Sequence, residues 1–200
     1  MSAFVCQKAP DFTAAAVMPD GSIKENFKLS DYAGQYVVLF FYPLDFTFVC
    51  PSEILAHNSR AQALKDRGVQ IIGVSIDSQF THSAWRNTAV DNGGIGKIAI
   101  PLVADVKHEI VKAYGVEHPE AGVALRGSFL IDREGVIQHM TINNLPLGRN
   151  IDEMVRMVDA LQFTEEHGEV CPAGWNKGDE GMKPSAEGVA SYLSTHANEL

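Results

Sequence analysis

Cys50 stands at a place in the sequence where a cysteine is expected to be reactive. It follows the apolar run of residues 36–41 and a short loop, and a helix-like segment begins directly after it at Pro51. At the start of a helix, backbone N–H groups and the positive end of the helix dipole favour a thiolate. Thr47, three residues upstream, adds a hydroxyl, and Pro43, seven upstream, constrains the loop. We therefore predict a nucleophilic thiol, not a core cysteine.

The elements that position this thiol alternate between apolar runs and helix-like stretches. The predicted strands are residues 36–41, 69–76, 98–103, 127–131 and 136–142, and the predicted helices are the segment after Cys50 and residues 80–90, 107–114, 150–168 and 186–194. Pro101 marks the third strand as broken or at an edge. Crossover connections imply parallel pairing and the final hairpin adds antiparallel strands, so the fold class is α/β with a mixed sheet flanked by helices.

Composition fits one sizeable domain with a tail. The chain has 200 residues, of which 46% are hydrophobic and 20% charged. From Glu169 the sequence becomes rich in Gly, Pro and Lys, so we predict a domain over residues 1–168 and an extended C-terminal tail over residues 169–200.

The charge and cysteine content limit the partners and the compartment. A net charge of −9 argues against nucleic acid or an anionic membrane as a partner, and no apolar run approaches the ~18 residues of a membrane span. The N-terminus has no secretory leader pattern, and the three cysteines have no disulfide-framework spacing. We therefore expect a cytoplasmic protein with reactive thiols.

Neither a metal nor an organic cofactor is expected. The sequence has no C-x-x-C or H-E-x-x-H, and its seven histidines are scattered. Residues 94–99 nominally match G-x-G-x-x-A but do not follow an apolar strand, so we interpret them as a flexible loop instead of a dinucleotide site.

Several motifs taken together resemble those of a known family. Pro43-x-x-x-Thr47-x-x-Cys50 is similar to the peroxidatic-site motif of the peroxiredoxins, and residues 168–173 (GEVCPA) resemble the resolving-cysteine motif of their typical two-cysteine class. Further matches occur, in the family's order, at residues 77–78, 82–85, 126–132 and 145–150. The resemblance implies a thioredoxin-like fold and thiol-dependent reduction of hydrogen peroxide and organic hydroperoxides.

The resemblance also implies roles for individual residues in the first chemical step. Cys50 would attack the peroxide and become a sulfenic acid. Thr47 would be the active-site hydroxyl, and Pro43 would shield the pocket. Arg126 would hold the thiolate and stabilise charge on the breaking bond, with Glu53 and Arg149 orienting it.

For the second step, the resemblance implies that Cys171 is the resolving cysteine. It would form a disulfide with Cys50 of another subunit in a homodimer, and thioredoxin or a flavoprotein disulfide reductase would then reduce that bond. Because Cys50 is expected to be buried at a helix start, local unwinding would have to precede the disulfide. Cys6 matches no motif and is interpreted as a bystander.

Assembly and regulation are further implications of the resemblance. Aromatic residues near the site, among them Trp85, Phe46 and Phe48, would help to pack dimers into a ring decamer. Some family members carry a Gly-Gly-Leu-Gly loop and a C-terminal Tyr-Phe pair that promote over-oxidation. This chain has Gly-Gly-Ile-Gly at residues 93–96 and Tyr-Leu at residues 192–193, which predicts intermediate sensitivity.

Three other functions share part of this evidence. An oligomeric chaperone or peroxide sensor would carry the same motifs, so the sequence leaves it open as an additional activity. A thioredoxin-like disulfide exchanger is disfavoured because the chain has no C-x-x-C, and Pro51-Ser52 follow Cys50. A one-cysteine peroxidase is disfavoured by Cys171 in its motif.

Overall fold

The structure is a computed structural model that describes residues 3–198. The chain divides into two compact units, Met1–Ile151 and Asp152–Leu200. The strands are β1 (Thr13–Val17), β2 (Ile23–Lys28), β3 (Tyr36–Phe41), β4 (Val69–Ser75), β5 (Leu102–Ala104), β6 (Arg126–Ile131) and β7 (Ile137–Asn143). The helices are α1 (Cys50–Ser59), α2 (Ala61–Lys65), α3 (Gln79–Asn87), α4 (Glu109–Ala113), α5 (Ile151–His167) and α6 (Ala186–His196).

The seven strands form one mixed sheet in the first unit. Their order is β2-β1-β5-β4-β3-β6-β7, with parallel pairing of β4 to both β3 and β5 and antiparallel pairing elsewhere. All six residues of the central strand β3 are buried, which explains its continuous apolar sequence, YVVLFF. The predicted mixed α/β architecture is confirmed.

The interruption of a strand at Pro101 is confirmed, but its expected edge position is wrong, and one hairpin was not predicted. The strand near Pro101 is β5, which begins after that proline and lies inside the sheet between β1 and β4, not at an edge. Pro101 supplies only its carbonyl, which accepts a hydrogen bond from the N–H of Gly73 at 3.0 Å. The N-terminal hairpin of β1 and β2 was not predicted, because TAAAV and IKENFK show neither a strong apolar run nor clean alternation.

The core beside β3 is built from large side chains in close contact. Phe41 packs edge-on against Phe129 of β6, with ring centroids 5.8 Å apart, and Tyr114 packs on Phe129 at 5.0 Å. On the opposite face of the sheet, Gly73 of β4 leaves room for other large side chains, since a Cβ there would lie 2.8 Å from Leu102 and 2.9 Å from Phe40. The strand that leads to Cys50 is therefore rigidly held.

The second unit folds back on α5. That helix ends at Gly168, whose φ of +67° is the left-handed conformation of a helix C-terminus. An antiparallel bridge between Val170 and Met182 follows, and the hydroxyl of Ser185 caps α6. Within residues 3–198, no helix has the length and apolar content that crossing a membrane requires.

Candidate active site

Cys50 is the first residue of α1, as predicted, and it is reached through the loop of residues 42–49 after β3. Only 1% of its surface is exposed. Pro51 occupies the first turn of the helix, where a missing N–H costs nothing. The first helical hydrogen bond runs from the N–H of Glu53 to the carbonyl of Val49, at 3.2 Å. The thiol is thus held at the N-terminal end of a helix and shielded from water.

Arg126, the first residue of β6, brings a permanent positive charge to this thiol. Its Nη1 lies 3.5 Å from Cys50 Sγ and donates to Glu53 Oε2 at 2.6 Å. Its Nε donates to the carbonyl oxygen of Leu145 at 2.7 Å. With its side chain only 4% exposed, the guanidinium is fixed by these contacts, and solvent screens its charge little.

Arg149 completes a buried cluster around the same carboxylate. It donates to Glu53 through Nε at 2.8 Å, Nη2 at 2.9 Å and its backbone N–H at 2.9 Å. Its Nη1 donates to the carbonyl of Gly127 at 2.7 Å. Burial alone would raise the pKa of Glu53, but the hydrogen bonds and charge of Arg149, with the charge of Arg126, hold that pKa below its ordinary value. Two guanidiniums and one carboxylate leave a net charge of +1 beside Cys50.

Thr47 and Pro43 lie in the loop that leads into α1. The hydroxyl of Thr47 donates to the carbonyl of Leu44 at 2.8 Å, which leaves its oxygen lone pairs available as acceptors. Pro43 is buried. Between these two, Phe46 adopts a left-handed φ of +53°, although it is a bulky aromatic residue.

A network of buried polar side chains holds this loop in place, and it was not predicted from the sequence. Asp45 accepts from Tyr42 at 2.9 Å and contacts His82 Nδ1 at 2.7 Å, and its N–H donates to Asp77 at 2.9 Å. His82 Nε2 faces the carbonyl of Val103 at 3.2 Å, so both ring nitrogens meet acceptors. Burial raises the pKa of Asp45, partly offset by His82. A charged residue inside an otherwise apolar loop was the available signal.

The aromatic residues near the site differ in exposure. Trp85, expected to contribute to assembly, is fully buried, and its Nε1 donates to the carbonyl of Gly93 at 2.9 Å. The loop of residues 93–96 is therefore packed on Trp85. A Cβ on Gly94 would lie 2.0 Å from a backbone oxygen, so that position requires glycine. Phe46 and Phe48, in contrast, are 51% and 96% exposed.

The two remaining cysteines are free thiols in different surroundings. Cys171 belongs to the second unit and is partly exposed beside α5, while Cys6 is exposed near the N-terminus. Among residues 3–198 no three His, Cys, Asp or Glu side chains are grouped so that they could hold a metal ion. In the first unit, the structure thus brings Cys50, Arg126, Glu53 and Arg149 together.

Comparison with known proteins places this arrangement in a family. Residues 5–140 match the AhpC/TSA family, and residues 160–195 match the C-terminal domain of 1-Cys peroxiredoxin. The chain is 58% identical over 193 residues to alkyl hydroperoxide reductase C of Buchnera aphidicola (subsp. Schizaphis graminum), covering 96% of this chain and 98% of the relative. It is 55% identical over 192 residues to peroxiredoxin-1 of Gallus gallus, covering 96% of each.

A solved structure is similar over the same length. The crystal structure of reduced 2-Cys peroxiredoxin from Plasmodium vivax superposes with a TM-score of 0.93 at 49% identity, covering 96% of this chain and 99% of that one. This similarity confirms the predicted thioredoxin-like fold.

Proposed function

The chain belongs to the AhpC/TSA family and is a peroxiredoxin that reduces peroxides with a thiol, and on this premise we propose that Cys50 is the residue that attacks. Its thiolate sulfur forms a bond to one peroxide oxygen while the O–O bond breaks. The second oxygen leaves as an alkoxide or hydroxide and takes up a proton. Cys50 is thereby oxidised to a sulfenic acid, and the peroxide is reduced to an alcohol or water.

The observation that carries this proposal is the buried cluster at Cys50. Arg126 lies 3.5 Å from the sulfur, and the ensemble of Arg126, Arg149 and Glu53 has a net charge of +1 in a site screened little by water. Such a charge favours a thiolate over a thiol and stabilises the negative charge that develops on the leaving oxygen. Glu53 and Arg149 act by positioning Arg126.

We assign the other two loop residues to peroxide binding. Because the Thr47 hydroxyl donates to Leu44, its oxygen is left as an acceptor for the O–H of a bound peroxide. Pro43 lacks an N–H and presents only an apolar ring to the buried loop. It limits the entry of water without competing for the thiolate.

For the second half of the cycle we propose that Cys171 resolves the sulfenic acid. Its sulfur attacks Cys50 Sγ of another subunit, the S–O bond breaks, and water leaves as the disulfide forms. An external dithiol protein, either thioredoxin or a flavoprotein disulfide reductase, returns both residues to thiols. Partial exposure of Cys171 supports this role because a resolving thiol has to reach a second sulfur.

We further propose that the protein forms homodimers that assemble into a ring decamer. The exposed side chains of Phe46, Phe48 and Phe80 support this proposal, since exposed aromatic residues are typical of subunit contacts. We also propose a cytoplasmic location, because three cysteines without a disulfide-framework spacing are typical of reactive thiols in a reducing compartment. The division into a peroxidase domain (residues 1–168) and a tail (residues 169–200) stays a proposal, which limited proteolysis would test.

A single oxidation experiment tests the roles of both cysteines. The fully reduced protein is treated with one equivalent of hydrogen peroxide and analysed by intact mass and on a non-reducing gel. We expect a dimer that dithiothreitol reverses and that peptide mapping assigns to Cys50–Cys171. A monomer that gains one oxygen would keep Cys50 as nucleophile and remove Cys171 as resolver. Unchanged Cys50 would refute the assignment of the nucleophile.

A further inference from the structure

The sulfur of Cys171 lies against α5 between two polar groups. Its Sγ is 3.5 Å from the carbonyl oxygen of Ala160 and 3.7 Å from Oγ1 of Thr164. Residues 160 and 164 are four positions apart and share one face of the helix. Ala160 is buried and Thr164 exposed, so the sulfur sits at the border between the helix and solvent.

Hydrogen bonds hold the segment around Cys171 on both sides, one to residue 182 and one to α5. On one side, the N–H of Val170 donates to the carbonyl of Met182 at 2.9 Å. On the other, Nη1 of Arg156 donates to the carbonyl of Trp175 at 2.7 Å. The position of the sulfur beside residues 160 and 164 is therefore fixed by the fold of this unit.

Counting hydrogens assigns the direction of these contacts. A thiol has one hydrogen, and the S–H donates to the carbonyl of Ala160. The Thr164 hydroxyl is then the donor to sulfur. When Cys171 loses its proton, the contact with the Ala160 carbonyl becomes repulsive, since two electron-rich atoms face each other. The O–H···S contact becomes a charge-assisted hydrogen bond and strengthens.

We propose that Thr164 is a positioning residue for Cys171 that stabilises its thiolate during the resolving step. The inference rests on the proposed function of Cys171 and deepens it. In that step the Cys171 sulfur forms the S–S bond, the S–O bond of the Cys50 sulfenic acid breaks, and the departing hydroxide takes up a proton to leave as water.

The test compares Thr164→Val, which keeps the shape of the side chain but removes the hydroxyl, with Thr164→Ser, which restores it. Thr88→Val is the matched control, because it removes the same hydroxyl from a threonine that donates to a helix carbonyl, that of Ala84 at 2.9 Å, and not to a sulfur. Rapid-quench samples after one equivalent of hydrogen peroxide give two rates, oxidation of Cys50 and formation of the disulfide.

We expect Thr164→Val to form the disulfide about tenfold more slowly, as loss of one hydrogen bond to a charged, partly exposed group implies. Oxidation of Cys50 should keep its rate in all variants, and Thr164→Ser should restore most of the disulfide rate. A Thr164→Val rate equal to that of wild type, or a Thr164→Ser rate as low as that of Thr164→Val, would overturn the proposal. If wild type forms no Cys50–Cys171 disulfide, the proposed function fails instead.

A second measurement tests Thr164 independently of the peroxidase cycle. Iodoacetamide alkylation of Cys171 is followed from acid to alkaline pH in a chain with Cys6→Ser and Cys50→Ser. We expect Thr164→Val to shift the alkylation profile towards alkaline pH and Thr88→Val to leave it in place. Coincident profiles for all three chains would rule out a role of Thr164 at this thiol.

Discussion

Replacing Glu53 by glutamine removes one charge and almost no volume from the centre of the buried cluster. In the native chain this carboxylate accepts four hydrogen bonds, one from Arg126 at 2.6 Å and three from Arg149 at 2.8–2.9 Å. Glutamine offers one oxygen and turns an NH₂ group towards guanidinium donors. Two buried positive charges would then face each other without a counter-charge.

The burial of Glu53 and its two arginine partners determines how much stability Glu53→Gln loses. An ion pair exposed to water contributes at most about 1 kcal/mol to stability. Glu53 and both arginines, however, have side chains only 3–4% exposed. Removing one partner of a buried pair typically costs about 3–5 kcal/mol. We therefore expect Glu53→Gln to lower the free energy of unfolding by about that amount at pH 7.

The same contacts set the sign of the pH dependence. Burial alone would raise the pKa of Glu53. The lowering effect of Arg149 and Arg126 is larger, so this pKa lies below the reference value of 4.5 in the folded chain. A carboxyl with a depressed pKa stabilises the fold above its unfolded pKa, and this contribution is lost as the pH falls through the folded value. The wild-type protein should lose this stabilisation in acid, and Glu53→Gln should lack it at every pH.

Urea unfolding followed by circular dichroism, at pH 7 and at pH 4, measures both effects. Glu25→Gln, an exposed position on β2, is the matched control and should change stability by less than about 0.5 kcal/mol. A Glu53→Gln chain that unfolds at the wild-type urea concentration, with the wild-type pH dependence, would show that the cluster is not the buried charge network described above.

Three further predictions concern the site and its regulation. Arg126→Lys should slow oxidation of Cys50 by hydrogen peroxide about 10²-fold in stopped-flow assays, since an ammonium cannot contact sulfur and carboxylate in the same geometry; an unchanged rate would refute the role of the guanidinium. Burial, and after it the charge of Arg149, lowers the pKa of His57 from 6.5 to about 3, so this histidine stays neutral in the folded chain. Lowering the pH from 7 to 5 should therefore cost about 2 kcal/mol of unfolding free energy, and His57→Leu should abolish that loss in urea titrations. Leu193→Phe, which restores the Tyr-Phe pair of some family members, should raise over-oxidation of Cys50 in dose–response mass spectrometry; equal sulfinic acid yields in the two chains would contradict this prediction.

The sequence predicted most of the sheet because its central strands are plainly apolar. The buried run of β3 and the β6–β7 hairpin could be located to within a residue or two. The hairpin of β1 and β2 could not, since short alanine-rich and charged strands have little hydrophobic patterning. The place of β5 inside the sheet depends on long-range pairing, which a local signal such as Pro101 does not encode.

Only those site residues that lie in recognisable sequence motifs could be predicted. The position of Cys50 at a helix start followed from local pattern alone. The pairing of Glu53 with Arg149, 96 residues away, and with Arg126, 73 residues away, came from family likeness, and the geometry now gives it a physical reason. The Asp45–His82 contact has no local signal beyond a charge in an apolar loop, because burial of a charge becomes visible only in three dimensions.

The left-handed backbone of Phe46 stores conformational strain in the loop that leads to Cys50. An L-residue with a side chain in this conformation costs on the order of 1–2 kcal/mol, a factor of about 5–30 in an equilibrium. The loop that leads to Cys50 therefore carries a conformational cost in this structure, and moving Phe46 to an ordinary backbone conformation would release it. In the cycle proposed above, that release would favour the open loop in which Cys50 meets Cys171. Phe46→Gly would remove this bias, because glycine adopts a positive φ without strain.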